Sequence, residues 1–80
     1  MSQLDRLLRE MRANPRAVRF ADLRRVLESR GVRIREGKGS HCVAVRGAVV
    51  YTLKKPARGH FMHPKAVKHS LQAFGLWEGG

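Results

Sequence analysis

Val32-Arg33-Ile34-Arg35-Glu36-Gly37-Lys38-Gly39-Ser40-His41-Cys42-Val43-Ala44-Val45-Arg46-Gly47-Ala48-Val49-Val50-Tyr51-Thr52-Leu53 is the stretch on which the reading of the fold turns. Val32, Ile34 and Glu36 alternate with Arg33 and Arg35, a period of two that marks a half-buried strand. Two glycines then bracket Lys38, where the backbone can reverse tightly. A second strand follows over residues 41–46. Gly47 marks another tight connection, and residues 49–53 make a third strand in which Val49, Tyr51 and Leu53 share one face. The expectation is a three-stranded antiparallel meander.

Helices are expected on both sides of it. Upstream, Phe20, Leu23, Val26 and Leu27 form the apolar face of a helix over residues 21–30, with Arg19, Arg24, Arg25 and Arg30 toward solvent. Asp22 and Arg30 suit the two ends of the helix dipole, and Gly31 is a natural stop. Further upstream, Leu4, Leu7, Leu8 and Met11 fall at i, i+3, i+4 and i+7. That helix starts after Ser2 as N-cap and ends near Asn14-Pro15, because proline disfavours helical geometry in the residue before it. Its stripe is read as packing against the core, with a membrane or partner-helix face as the alternative.

Downstream, residues 54–62 read as a cationic loop. Pro64 then takes the first-turn position that proline favours, Val67, Leu71 and Phe74 recur at helical spacing, and Gly75 closes the helix. Leu76 and Trp77 can fold back onto the body, and residues 77–80 read as a flexible tail. The expected class is therefore α+β in the order α-α-β-β-β-α. Helices on one face of the three-stranded antiparallel sheet leave the other face open. Residues 1–80 read as a single domain, with 1–14 as an N-terminal helical extension and 19–76 as the core.

Eighty residues allow only a thin core, since a chain this short buries about 60 % of its unfolded surface. Seventeen Lys and Arg against six Asp and Glu leave a net charge of +11. Charge of that size on a small body draws polyanions, with nucleic acid the leading partner ahead of an anionic membrane surface or an acidic protein. No stretch approaches the roughly 18 apolar residues of a spanning helix. Asp5, Arg6, Arg9 and Glu10 interrupt the apolar core that a signal peptide needs, so the chain is read as cytoplasmic. One cysteine, Cys42, supplies no internal disulfide and fits a reducing compartment.

The chemistry concentrates in residues 37–42. Lys38, the Gly39 backbone, Ser40 and His41 bring a positive charge, exposed N–H groups, a hydroxyl and an imidazole, a set suited to an anion. Lys54, Lys55, Arg58, Lys65 and Lys68 add a cationic cluster in the loop and at the start of the last helix, where phosphates bind well. Strand alternation prevents His41 and Cys42 from converging as a base and nucleophile, so Cys42 is read as a small core residue. Alternation alone does not choose the face of His41, because Cys42, Val43, Ala44 and Val45 are all apolar. His60, His63 and His69 lack the Cys or acidic partners of the usual closed zinc sites, and neither a metal nor a cofactor is expected.

Residues 19–23 (RFADL), 37–41 (GKGSH) and 65–71 (KAVKHSL), with the terminal Gly75-Leu76, resemble the HicA family of bacterial toxins. Residues 14–20 (NPRAVRF) behind the first helix are similar to the longer members, so the likeness covers nearly the whole chain. It implies a double-stranded RNA-binding-domain-like fold and a messenger RNA-cleaving ribonuclease, silenced by a HicB-type antitoxin protein. It also implies that His41 matches the family's catalytic histidine and faces outward. The chain departs from the family at Cys42, often a second histidine, and at Ala44, often an aromatic.

RNA carries its own 2′-hydroxyl nucleophile, so cleavage needs proton transfer and charge stabilisation and requires no metal. His41 suits the first task, with His60 or His63 open as a second proton-transfer group. Lys38 and Gly39 suit the second, and Ser40 would orient the phosphate or the imidazole. Two other readings compete. One is a non-catalytic RNA-binding module of the same fold; the other is a cationic surface made for an acidic protein.

Overall fold

The computed structural model describes residues 2–77. Helix α1 (Gln3–Ala13) begins where Ser2 Oγ accepts the Asp5 N–H at 3.1 Å, the expected N-cap, and ends at Asn14 ahead of Pro15. A single 3₁₀ turn, Pro15–Ala17, leads into α2 (Phe20–Ser29). Three strands follow, β1 (Arg33–Glu36), β2 (His41–Arg46) and β3 (Val49–Lys54), and then α3 (Pro64–Ala73). The class is α+β, with three α-helices and a three-stranded antiparallel sheet.

The sheet is a meander in the order β1-β2-β3, with Ile34 opposite Ala44 and Cys42 opposite Leu53. Residues directly opposite share a face, so Ile34, Ala44 and Tyr51 form one row and Glu36, Cys42 and Leu53 another. Cys42, Ala44 and Leu53 are fully buried in one cluster with Leu23, Val26 and Leu27 of α2 and Val67, Leu71 and Phe74 around α3. Leu8 and Met11 of α1 belong to the same cluster. The other face carries Arg33, Arg35, His41, Val43, Val45, Val50, Thr52 and Lys54, and among the described residues no helix covers it; Val50 is 60 % exposed.

Small departures from the sequence reading have local causes. Val32 is buried but lies before β1, its N–H closing the α2 terminus onto the Leu27 carbonyl at 3.1 Å. Val49 shares its face with Tyr51 and Leu53 yet stays 37 % exposed, since it pairs with Arg46 at the far end of the ladder. Lys54 belongs to β3 rather than to the loop. Past α3, Gly75 takes φ +71 and the Leu76 N–H reaches the Leu71 carbonyl at 2.7 Å, so Leu76 and Trp77 fold back and pack against the core. The tail expected at residues 77–80 lies, beyond Trp77, outside the described residues. Among the described residues no helix is long and apolar enough to cross a membrane.

Candidate functional site

The turn between β1 and β2 is closed from both ends. The Gly37 N–H donates to the His41 carbonyl at 2.7 Å, and the His41 N–H donates to the Lys38 carbonyl at 3.1 Å. Gly39 adopts φ +60, the left-handed region that side chains disfavour, and a Cβ on Gly37 would sit 3.0 Å from the His41 carbonyl oxygen. Both glycines are thus required by the geometry that delivers His41 to the head of β2. Lys38 and Gly39 are exposed at the tip.

His41 is exposed, and its neighbour Cys42 is fully buried, so the strand's alternation turns the imidazole to the open face. Directly across the ladder stands Lys54. Ser40 and Lys54, which flank His41 along and across the strands, line a groove of about 620 Å³ between the sheet end and the β3–α3 loop. His60, Phe61 and His63 form its loop side, with Ala66 of α3. His63 is the N-cap of α3, its Nδ1 accepting the Lys65 N–H at 3.1 Å, an arrangement that places the ring proton on Nε2.

Lys55 also lines the groove, but its charge is engaged. Its ammonium pairs with Glu36, and its N–H donates to the Ser40 carbonyl at 2.7 Å. Glu36 reaches Arg24 at 3.7 Å as well, and accepts the Cys42 thiol at 3.5 Å. The Lys55 hydrogen bond, then the Cys42 one, hold the Glu36 carboxyl below its ordinary value. The same pair raises Lys55. Burial first, and the Glu36 contact second, push the Cys42 thiol up, away from nucleophilic character.

The cationic cluster expected to act as one divides in two. Lys65 and Lys68 line, with Arg12, Arg16 and Trp77, a second groove of about 480 Å³ that adjoins the first only through His63, the residue lining both. Lys68 Nζ stands 5.7 Å from the Trp77 ring centroid. Arg58 is exposed in the loop and lines neither groove. Among the described residues no three His, Cys, Asp or Glu side chains gather as a metal site. No protein-family model, characterised protein or solved structure matches the chain.

Sequence reasoning missed five participants. Glu36 was read as one position in a strand pattern, and its role depends on a register that brings Lys55 alongside. Arg12 and Arg16 carry no signal in the sequence that ties them to Lys65 and Lys68, and the fold alone brings them together. Phe61 sat unremarked in the loop; the usable signal was an aromatic directly between His60 and Met62-His63 in a run of cations. Arg19 donates to the Gly59 carbonyl at 2.8 Å and lies over the Phe61 ring, a partnership spanning 40 residues.

Proposed function

We propose that this chain binds RNA and cleaves it, with His41 as a proton-transfer group. One observation carries the reading: an exposed imidazole at the head of the central strand, on the sheet face without helices, with Lys54 across from it and a cation-lined groove beside it. The net charge of +11 supports a polyanionic substrate. The resemblance to the HicA toxins supplies the reaction class. In that reading the fold is double-stranded RNA-binding-domain-like, and the protein is the cytoplasmic toxin of a type II toxin-antitoxin pair, held silent by a HicB-type antitoxin.

The chemistry is a transesterification. The ribose 2′-oxygen attacks the neighbouring phosphorus, its proton passes to a base, and the bond from phosphorus to the 5′-oxygen breaks as that oxygen takes a proton from an acid. A 2′,3′-cyclic phosphate and a 5′-hydroxyl result. His41 performs one of the two transfers, and His60 or His63 stands on the groove side for the other. Lys54 and Lys38 offset charge that builds on the phosphoryl oxygens. Cys42, buried and with a raised pKa, takes no part.

The test is cleavage of an end-labelled RNA, in chelator, by the wild type and by His41→Ala and His41→Gln. Loss of about 10²- to 10⁴-fold in rate with binding retained supports the assignment. Cleavage by either variant at the wild-type rate removes it. Binding without cleavage by all three proteins leaves the non-catalytic RNA-binding module as the function.

A further inference from the structure

Phe61 is an exposed aromatic ring held in a fixed place. Residues 60–63 run between β3 and α3 without regular structure, yet the Met62 N–H donates to the Val18 carbonyl at 2.7 Å and the Met62 side chain is 2 % exposed. With Met62 pinned inward, Phe61 points out and is 47 % exposed. The Arg19 guanidinium lies 4.5 Å from its ring centroid and is itself tethered to the Gly59 carbonyl. Arg19 thus braces one side of the ring, which also forms part of the wall of the 620 Å³ groove.

We propose that this groove is a nucleobase subsite in which one unpaired base of the RNA stacks on Phe61. The inference rests on the RNA reading above and adds to it the strandedness of the substrate. A nucleobase is a flat ring with polar edges joined to a phosphate. The groove matches each part, with Phe61 and Ala66 for the faces, His60 and His63 for the edges, and Lys54 for the phosphate. A base in a duplex has both faces covered by its neighbours, so only single-stranded or looped RNA can enter. With the base seated, the adjoining ribose-phosphate leaves the groove by Ser40, one residue from His41.

Binding is measured with an uncleavable 2′-O-methyl single-stranded oligonucleotide carrying one 2-aminopurine, with an abasic oligomer of equal length and charge, and with a duplex of the same sequence. Base–aromatic stacking at one site predicts that the wild type prefers the base-bearing strand to the abasic one by about fivefold to a hundredfold and quenches the 2-aminopurine. Phe61→Leu, which keeps an apolar side chain without a π face, and Phe61→Ala should lose both preference and quenching, whereas Phe61→Trp should keep them. Thermal unfolding of each variant checks that the fold is retained. Equal wild-type binding to base-bearing and abasic strands overturns the subsite while leaving RNA binding intact. A preference that survives in Phe61→Leu, or tighter binding to the duplex, overturns it equally. Absence of wild-type binding to all three probes removes the RNA reading itself, and the subsite with it.

Discussion

His41 stands directly opposite Lys54 in the β2–β3 ladder, so an imidazole and an ammonium share the sheet face that the helices leave uncovered. A phosphate drawn to Lys54 is thereby brought to His41. Lys54 is exposed, and an ammonium meets a phosphate as a point charge, which fixes how its loss should look. Lys54→Ala should weaken RNA binding by a similar factor for every sequence and lower the slope of log affinity against log salt by about one. Titrations at several salt concentrations measure this, and an unchanged slope would place the phosphate elsewhere.

Glu36 works against the site's charge while holding its shape. Its carboxylate occupies Lys55, whose backbone N–H in turn holds the Ser40 carbonyl at the end of the β1–β2 turn. Because the Glu36 pKa lies below its ordinary value in the folded chain, the pair stabilises the fold above the unfolded glutamate range, and that stability is lost as pH falls through the lowered folded value. Lys55 has the opposite sign: its raised pKa contributes below the ordinary lysine range and the contribution is lost as pH rises through the folded value. Glu36→Gln should flatten the acid limb of stability against pH, free Lys55 for phosphate and raise the salt slope of RNA binding by about one. It should also slow cleavage, since the Ser40 end of the turn loosens. Urea unfolding across pH, beside the binding titrations, reads these effects; tighter binding with unimpaired cleavage would show that the pair does not position the turn.

The two glycines of the turn predict different failures. Gly39→Ala places a side chain at φ +60 in open space, so it should cost about 1 kcal/mol of stability from backbone strain, with no clash. Gly37→Ala meets the His41 carbonyl at 3.0 Å and must displace it, loosening the Gly37 N–H bond at the same time. Gly37→Ala should therefore lower the cleavage rate more than Gly39→Ala at equal loss of stability. Single-turnover rates at matched fractions folded separate the two.

Much of the fold could be read locally, because its signals are local. Ser2, Pro64 and Gly75 sit at helix ends for reasons of capping and backbone geometry, and the glycine turns at 37–39 and 47 bracket β2 at its observed bounds. The face of His41 could not be read that way. Val43 and Val45 are as apolar as Cys42 and Ala44, and only the packing of α2 and α3 decides which pair is buried. The site was legible to the same extent. Residues 37–41 are contiguous, but the pairing of Glu36 with Lys55, the bracing of Phe61 by Arg19 and the parting of Lys65 and Lys68 from Lys54 all depend on distant segments meeting. A cluster in sequence became two surfaces that adjoin only through His63.

Arg46 shows the same dependence and yields the last prediction. Read as the final residue of a strand, it turns to the helix layer, donates to the Phe74 carbonyl at 2.7 Å and to the Arg30 carbonyl at 3.3 Å, and lies 5.6 Å from the Phe74 ring centroid. Phe74 and Arg30 are the C-caps of α3 and α2, so one guanidinium satisfies carbonyls at two helix ends and meets the negative pole of both dipoles. Arg46→Met keeps much of the apolar stem and removes the charge; it should cost about 1.5–3 kcal/mol, the range for hydrogen bonds to a charged group. Arg46→Lys should recover only part of that loss, because an ammonium cannot span both carbonyls as the planar fork does. Urea unfolding of the three proteins measures the series. Equal stability of Arg46→Lys and the wild type would mean that charge alone, and not the bridge between the two helix ends, is what the fold uses.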